Sequence, residues 1–293
     1  MATITAGTSF PATLVAEMFD AVQGRSALAK LSAEKPIPFT GVTEFVFSAS
    51  GEAALVGEGD PKPAGDAAVT PKIIKPVKFV YQQRVSDEFI KSGDETRLQY
   101  LEAFAEGFAK KIARAFDIAA MHGIDPATGT AASFQSTNSF DGLLTPAPYT
   151  AATVDTDLEG VIAGIGDGVT GVVFGPTAAA DMAALNINGV PQYPDFRFGQ
   201  NPGSFYGMAC DVNSTLEVLG TGVTDTDMVL VGNFENAFRW GYAAEIPLEV
   251  IEYGDPDGAG HDLKQYNEVC LRAEAFIGWS ILDATAFGML QDQ

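Results

Sequence analysis

The sequence predicts an α+β fold drawn out along one very long helix, and three observations predict it. Apolar residues recur at spacings of three and four from Asp94 to about Gly123. Strand-like alternation stands on both sides of a Gly- and Pro-rich stretch, "GEAALVGEGDPKPAGDAAVTPKIIKPVKFV" (Gly51 to Val80). A mixed region of helices and strands at about 151 to 253 then gives way to a strand-like closing run, "NEVCLRAEAFIGWSIL". With 293 residues, 46% of them apolar, the chain is able to bury a large core and reads as folded.

Residues 10 to 31, "FPATLVAEMFDAVQGRSALAKL", predict a short helix with Pro11 in its first turn. Leu14, Met18 and Val22 share one face and Gly24 ends it. Thr43 to Ser48 reads as a strand, with Phe45 and Phe47 alternating against polar neighbours. In "VKFVYQQRVS", Val77, Phe79, Tyr81 and Val85 point one way and Lys78, Gln82 and Arg84 the other. Two strands joined by so long a segment suggest a β-hairpin extension, which alone is marginal in water and calls for a partner. Leu98, Leu101, Phe104, Phe108, Ile112, Ala115 and Ala119 form the apolar stripe of the long helix, with Glu102, Glu106, Lys110, Arg114 and Asp117 between them. At 1.5 Å per residue this helix is roughly 40 Å long, a spine suited to a flat, elongated molecule. Residues 125 to 150 read as loop. A helix at 155 to 165, strand "GVVFG", a helix from Pro176 to Leu185, and strands near "FYGMACDV", "DMVLVGN" and "IPLEVIEY" follow. After the turn-rich "GDPDGAGHD", Val269, Leu271, Ala273 and Ala275 alternate with Cys270, Arg272, Glu274 and Phe276.

The composition excludes several functions. Thirty-eight acidic residues against 17 basic ones give a net charge of −21, which repels DNA over most of the surface and leaves no basic cluster for tight nucleic-acid binding. No apolar run is long enough to span a bilayer as a helix, and the opening residues carry no secretory-signal pattern. Two cysteines, Cys210 and Cys270, make no disulfide framework, and the Asn213 sequon is read as chance. His122 and His261 lie far from the cysteines, so no zinc cluster at short spacing is expected. His122 is read as the end of the long helix and His261 as part of a turn. Gly166, Gly168 and Gly171 match the spacing of a dinucleotide loop, but a helix precedes them and a strand follows, the reverse of what phosphate binding needs. Asp225/Asp227 and Asp255/Asp257 are read as solvated turns, not as calcium loops. No cofactor, metal ligand or catalytic residue is expected.

The order of these parts resembles the major capsid proteins of tailed bacteriophages, which have the Hong Kong 97-like fold. "AALVGEGDPKPAGD" is similar to that family's Gly-Glu-Gly and Lys-Pro stretch. "VSDEFIKSGDETRLQYLEAFAEGFAKKIARAFDIAAMHG" is similar to its spine helix, with the Asp-x-Ala-x-x-x-Gly ending at Asp117, Ala119 and Gly123. "VLVGNFENAFRWGYAAEIPLEV" and "NEVCLRAEAFIGWSILDATAFGML" resemble its later strands, with Arg272, Glu274, Gly278, Ala286 and Phe287 at familiar spacings. The resemblance implies an N-terminal arm at 1–42, an extended hairpin loop at 43–76, a peripheral domain with the spine helix at 77–150, an axial domain at 151–253 and a return to the peripheral domain at 254–293. It implies self-assembly into pentamers and hexamers of an icosahedral shell enclosing double-stranded DNA without sequence-specific binding. The virion capsid would be assembled in the host bacterial cytoplasm, without membrane. Portal and cement proteins are implied partners, and scaffolding would be a separate protein or not needed. An encapsulin-type nanocompartment shell and an acidic hydrolase are the alternative functions.

In the family the extended loop lies across a neighbouring subunit. Here it is carried by Glu52, Gly57, Glu58, Gly59, Lys62 and Pro63, with hinges at Gly51 and Gly93. Some members join a loop lysine to a neighbour's asparagine with a glutamate assisting; Lys62 or Lys72, Asn267 and Glu274 are the matching residues. The residues themselves favour a plainer reading, with Asn267 in a strand ladder and Glu274 paired with an arginine.

Overall fold

A computed structural model describes residues 25–50, 55–58, 66–88, 94–166, 168–243 and 248–292. Residues 10–24 of the predicted arm helix lie outside them. The first described helix, α1 (Ala27–Leu31), starts at Ser26, whose Oγ accepts from the Ala29 amide. Strands β1 (Val42–Ser50) and β2 (Asp66–Ile74) form an antiparallel hairpin in unbroken register from Val42 opposite Ile74 to Ser50 opposite Asp66. The partner of β1 therefore lies inside the Gly/Pro-rich stretch. The next strand, β3 (Pro76–Ser86), which the sequence suggested as the hairpin's second arm, belongs to another sheet. The long helix α2 runs over Asp94–His122, 29 residues, and ends at Gly123 with φ 64°. A side chain there would be strained and would bring a Cβ to 2.6 Å from Gln135 Cα, so glycine is required.

Two single turns of helix, α3 (Gln135–Asn138) and α4 (Phe140–Leu143), lead to β4 (Ala147–Pro148). Then come α5 (Val154–Ile165), β5 (Gly171–Phe174), α6 (Pro176–Ala184) and the short pair β6 (Asn186–Ile187) and β7 (Val190–Pro191). β8 (Ser204–Phe205), β9 (Met208–Val212), β10 (Thr226–Gly232), β11 (Phe238–Tyr242), β12 (Leu248–Ile251), β13 (Glu268–Ile281) and β14 (Phe287–Asp292) complete the chain. Among the described residues no helix is long and apolar enough to cross a membrane.

β13 organises a four-stranded sheet. β3 pairs with it along one side from Glu268 opposite Ser86 to Gly278 opposite Pro76, while β12 and β11 share its other side. Its period of two sends Val269, Leu271, Ala273, Ala275, Ile277, Trp279 and Ile281 into the protein, all buried. Against that face lie Phe104, Phe108, Ile112, Phe116 and Ala119 of α2, with Phe116 ring-packed on both Trp240 (5.3 Å) and Trp279 (5.7 Å). Val77, Phe79, Tyr81 and Val85 of β3 join the same core, as their alternation predicted.

A second core lies in a six-stranded sheet of order β4-β14-β10-β5-β9-β8, where β5 is buried at every position. α5 and α6 cover it with Val154, Leu158, Ala178 and Met182. The last strand departs from the expected return to the first sheet at 254–293. β13 pairs with β3, but β14 pairs with β10 and β4 and so ends the chain in the six-stranded sheet. Gly166 and Gly168 follow α5 and Gly171 opens β5, the order that disqualifies a phosphate loop.

Candidate functional site

The β1–β2 hairpin carries an apolar face that no other described residue of the chain covers. In an antiparallel pair, directly opposed residues share a face. The register opposes Phe45 to Pro71, Phe47 to Val69 and Thr43 to Ile73. Phe45 is 70% exposed, Phe47 67%, Val69 57% and Ile73 62%. β-Propensity and alternation make this ribbon, but they place its hydrophobic side in water, which isolated ribbons do not sustain.

Among the described residues, the anchoring contacts lie at the base of the hairpin. Ile74 is fully buried, Glu44 forms an ion pair with Arg239 of β11, and Phe39 packs edge-on against Phe276 at 5.1 Å. Of the loop residues singled out by sequence, Gly57 and Glu58 are exposed near the tip beside the fully exposed Leu55. Gly51, Glu52, Gly59, Lys62, Pro63 and Gly93 lie outside the described residues. Lys72 sits on β2 opposite Glu44.

The two acceptor-side residues differ from their expected settings. Asn267 is not in a ladder: it closes the short 3-10 turn before β13 in the left-handed conformation, φ 54°, and its carbonyl accepts from the Asp87 amide at 2.7 Å. Glu274 is paired, but with Lys78 at 2.6 Å across the β3–β13 ladder and not with an arginine.

Three polar clusters hold the body that presents the hairpin, and all were missed or misread in the sequence. Asp117, placed there on the polar side of the helix, is fully buried. Its Oδ1 accepts from Ser26 Oγ at 2.5 Å and Leu28 N at 3.3 Å, and its Oδ2 from Ala27 N at 2.8 Å. Burial pushes its pKa up to about 7 against the pull of these donors. Asp117 thus binds the start of α1, while Lys30 at the other end of α1 reaches Asp211, 2.6 Å away and buried. Residues 34–37 then run beside β11, with Lys35 N donating to Trp240 O and Ile37 N to Tyr242 O. Gly241 permits that approach, because a Cβ there would collide with the Lys35 carbonyl.

The pair Asp255/Asp257 is not a solvated turn. Arg84 of β3 fills the loop: its guanidinium meets Asp255 at 2.5 Å, Asp257 at 2.8 and 2.9 Å and Glu268 at 3.0 Å, and donates to the His261 carbonyl. The Arg84 contact holds the Asp257 carboxyl down at about 2. Asp227, read as a turn residue, is buried beside His122. His122 Nδ1 lies 3.0 Å from Asp141 Oδ2 and 3.2 Å from Asp227 Oδ2, and Nε2 lies 2.9 Å from the Thr215 carbonyl. Burial alone lowers the His122 pKa, but the two carboxylates raise it to about 10; burial raises Asp227 to about 6.

Known proteins match this arrangement along its length. Residues 6–292 match the model of the Phage capsid family. A solved chain from Mycobacterium phage Ogopogo is 27% identical, with 100% of this chain and 97% of that one covered at a TM-score of 0.76. One from Gordonia phage Cozz is 26% identical, covering 92% of this chain and 87% of its own at 0.72. The capsid of a native GTA particle shares the fold at 14% identity, 100% and 94% coverage and a TM-score of 0.62. No curated protein matches.

Proposed function

The chain belongs to the phage capsid family, and from that premise we propose that its exposed hairpin is laid, apolar face down, across a neighbouring copy of the same chain. It is a major capsid protein, a structural and not a catalytic molecule, whose copies form the capsid shell of a virion. The observation supporting the finer reading is the stripe of Phe45, Phe47, Val69 and Ile73, exposed on a ribbon whose described anchoring contacts lie at its base. A second copy covers that stripe, and repetition around closed rings of five and six copies makes many modest contacts act together. Gly51, Gly57, Gly59 and Gly93 let the loop adjust between non-identical positions in the shell, while α2 and β13 stay rigid. The shell encloses double-stranded DNA without a sequence-specific contact, as its strong net negative charge favours. Assembly takes place in the host cytoplasm, with portal and cement functions supplied by other proteins. Lys62, Lys72, Asn267 and Glu274 remain the matching residues for a covalent link, but Glu274 already answers Lys78, which favours a non-crosslinked shell. Deleting residues 52–68 tests the reading. The deletion is expected to leave a folded monomer that electron microscopy shows forming no regular shells; normal shells refute it.

A further inference from the structure

We infer that His122, Asp141 and Asp227 form a site for one divalent cation of the zinc class, fastening the end of α2 to the six-stranded sheet. One ligand atom from each lies within 4.8 Å of the other two. The three come from the last residue of α2, from α4 and from β10, so the fold brings them together from distant parts of the chain.

The chemistry of the imidazole points to a cation. The Thr215 carbonyl can only accept, so Nε2 carries a proton and donates to it at 2.9 Å. That leaves Nδ1 facing two carboxylate oxygens, at 3.0 and 3.2 Å, where its lone pair needs a positive partner. A second proton is one such partner, but it leaves two carboxylates against a single positive charge. The side chains of His122 and Asp227 are only 4% and 3% exposed. The Oδ1 atom of Asp141 is buried without a hydrogen-bond partner. A dication with a neutral imidazole balances both carboxylates and supplies the missing positive neighbour. The surroundings match those of a ligating histidine, whose other nitrogen donates to a backbone carbonyl. Gln291 Nε2 donates to Asp227 Oδ1 at 3.0 Å, leaving Oδ2 for the cation. One nitrogen and two carboxylate oxygens suit zinc, whereas calcium takes six or more oxygens.

The test uses the full-length protein, stripped with chelator and titrated with Zn²⁺ by calorimetry, with metal content checked by mass spectrometry. The expected result is one Zn²⁺ per chain, a higher Tm, and binding weakened more than ~100-fold in Asp141→Asn, which keeps the side chain's shape at a partly exposed position. Wild-type protein that takes up no Zn²⁺ overturns the inference, because a proton then suffices at Nδ1. Equal affinity in wild type and Asp141→Asn overturns it as well, since the ion must then lie elsewhere.

Discussion

Replacing both hairpin phenylalanines with serine (Phe45→Ser, Phe47→Ser) separates assembly from folding. Full burial of a phenylalanine is worth about 1.5–3 kcal/mol. The folded chain leaves these two residues 70% and 67% exposed, so about two-thirds of that gain awaits a partner. Each ring therefore stands to contribute about 1–2 kcal/mol at the contact, and the pair about 2–4 kcal/mol per hairpin. That weakens a single contact roughly 30- to 1,000-fold, and repetition around a ring multiplies the loss. The monomer, by contrast, loses only the third already buried, about 1–2 kcal/mol for the pair and half of the loss expected at the contact. Size-exclusion chromatography and negative-stain microscopy read the first effect, and thermal melting of the unassembled chain reads the second. Shells formed at the wild-type threshold concentration refute the reasoning. A fall in the monomer's Tm comparable with the loss of assembly refutes it too, because the rings would then be packed at home.

Asp117→Ala strands the Ala27 and Leu28 amides and the Ser26 hydroxyl in the interior, at a cost of about 2–4 kcal/mol. Melting and protease cutting near residue 25 measure it, and an unchanged Tm with an intact arm contradicts it. Gly241→Ala drives a methyl group into the Lys35 carbonyl and is expected to cost about 1–3 kcal/mol, read as a lower urea midpoint. Arg84→Met removes the counterion of Asp255, Asp257 and Glu268. The Asp257 carboxyl is held below its unfolded value of 3.8, so its contribution is complete above about pH 4 and lost as pH falls through about 2. The urea midpoints of wild type and Arg84→Met are therefore expected to differ at pH 5 and to converge towards pH 2; a constant gap contradicts the pairing.

The sequence revealed what is periodic and local. The long helix and the inward face of β13 follow from spacings of three, four and two within one stretch of chain, and both are found where the apolar residues put them. β2 was hidden because Pro71 and the neighbouring Gly- and Pro-rich residues read as loop, and strand pairing depends on a partner that no local pattern names. Phe45 and Phe47 were legible as strand residues, but alternation says nothing about which face meets water. The buried charges were illegible for the same reason. Asp117 becomes an interior residue only when Ser26, 91 positions away, arrives to bind it. Asp255 becomes part of a clasp only when Arg84, 171 positions away, fills the loop. An acidic residue far from its partner in the chain looks like surface.

The polypeptide crosses between the four- and six-stranded sheets three times among the described elements: between β3 and β4, between β10 and β11, and between β13 and β14. Separating one sheet from the other is therefore opposed by three covalent connections as well as by the core they share. A wall built of such units resists internal pressure through its peptide bonds, and its compliance is left to the ribbons that reach from one unit to the next.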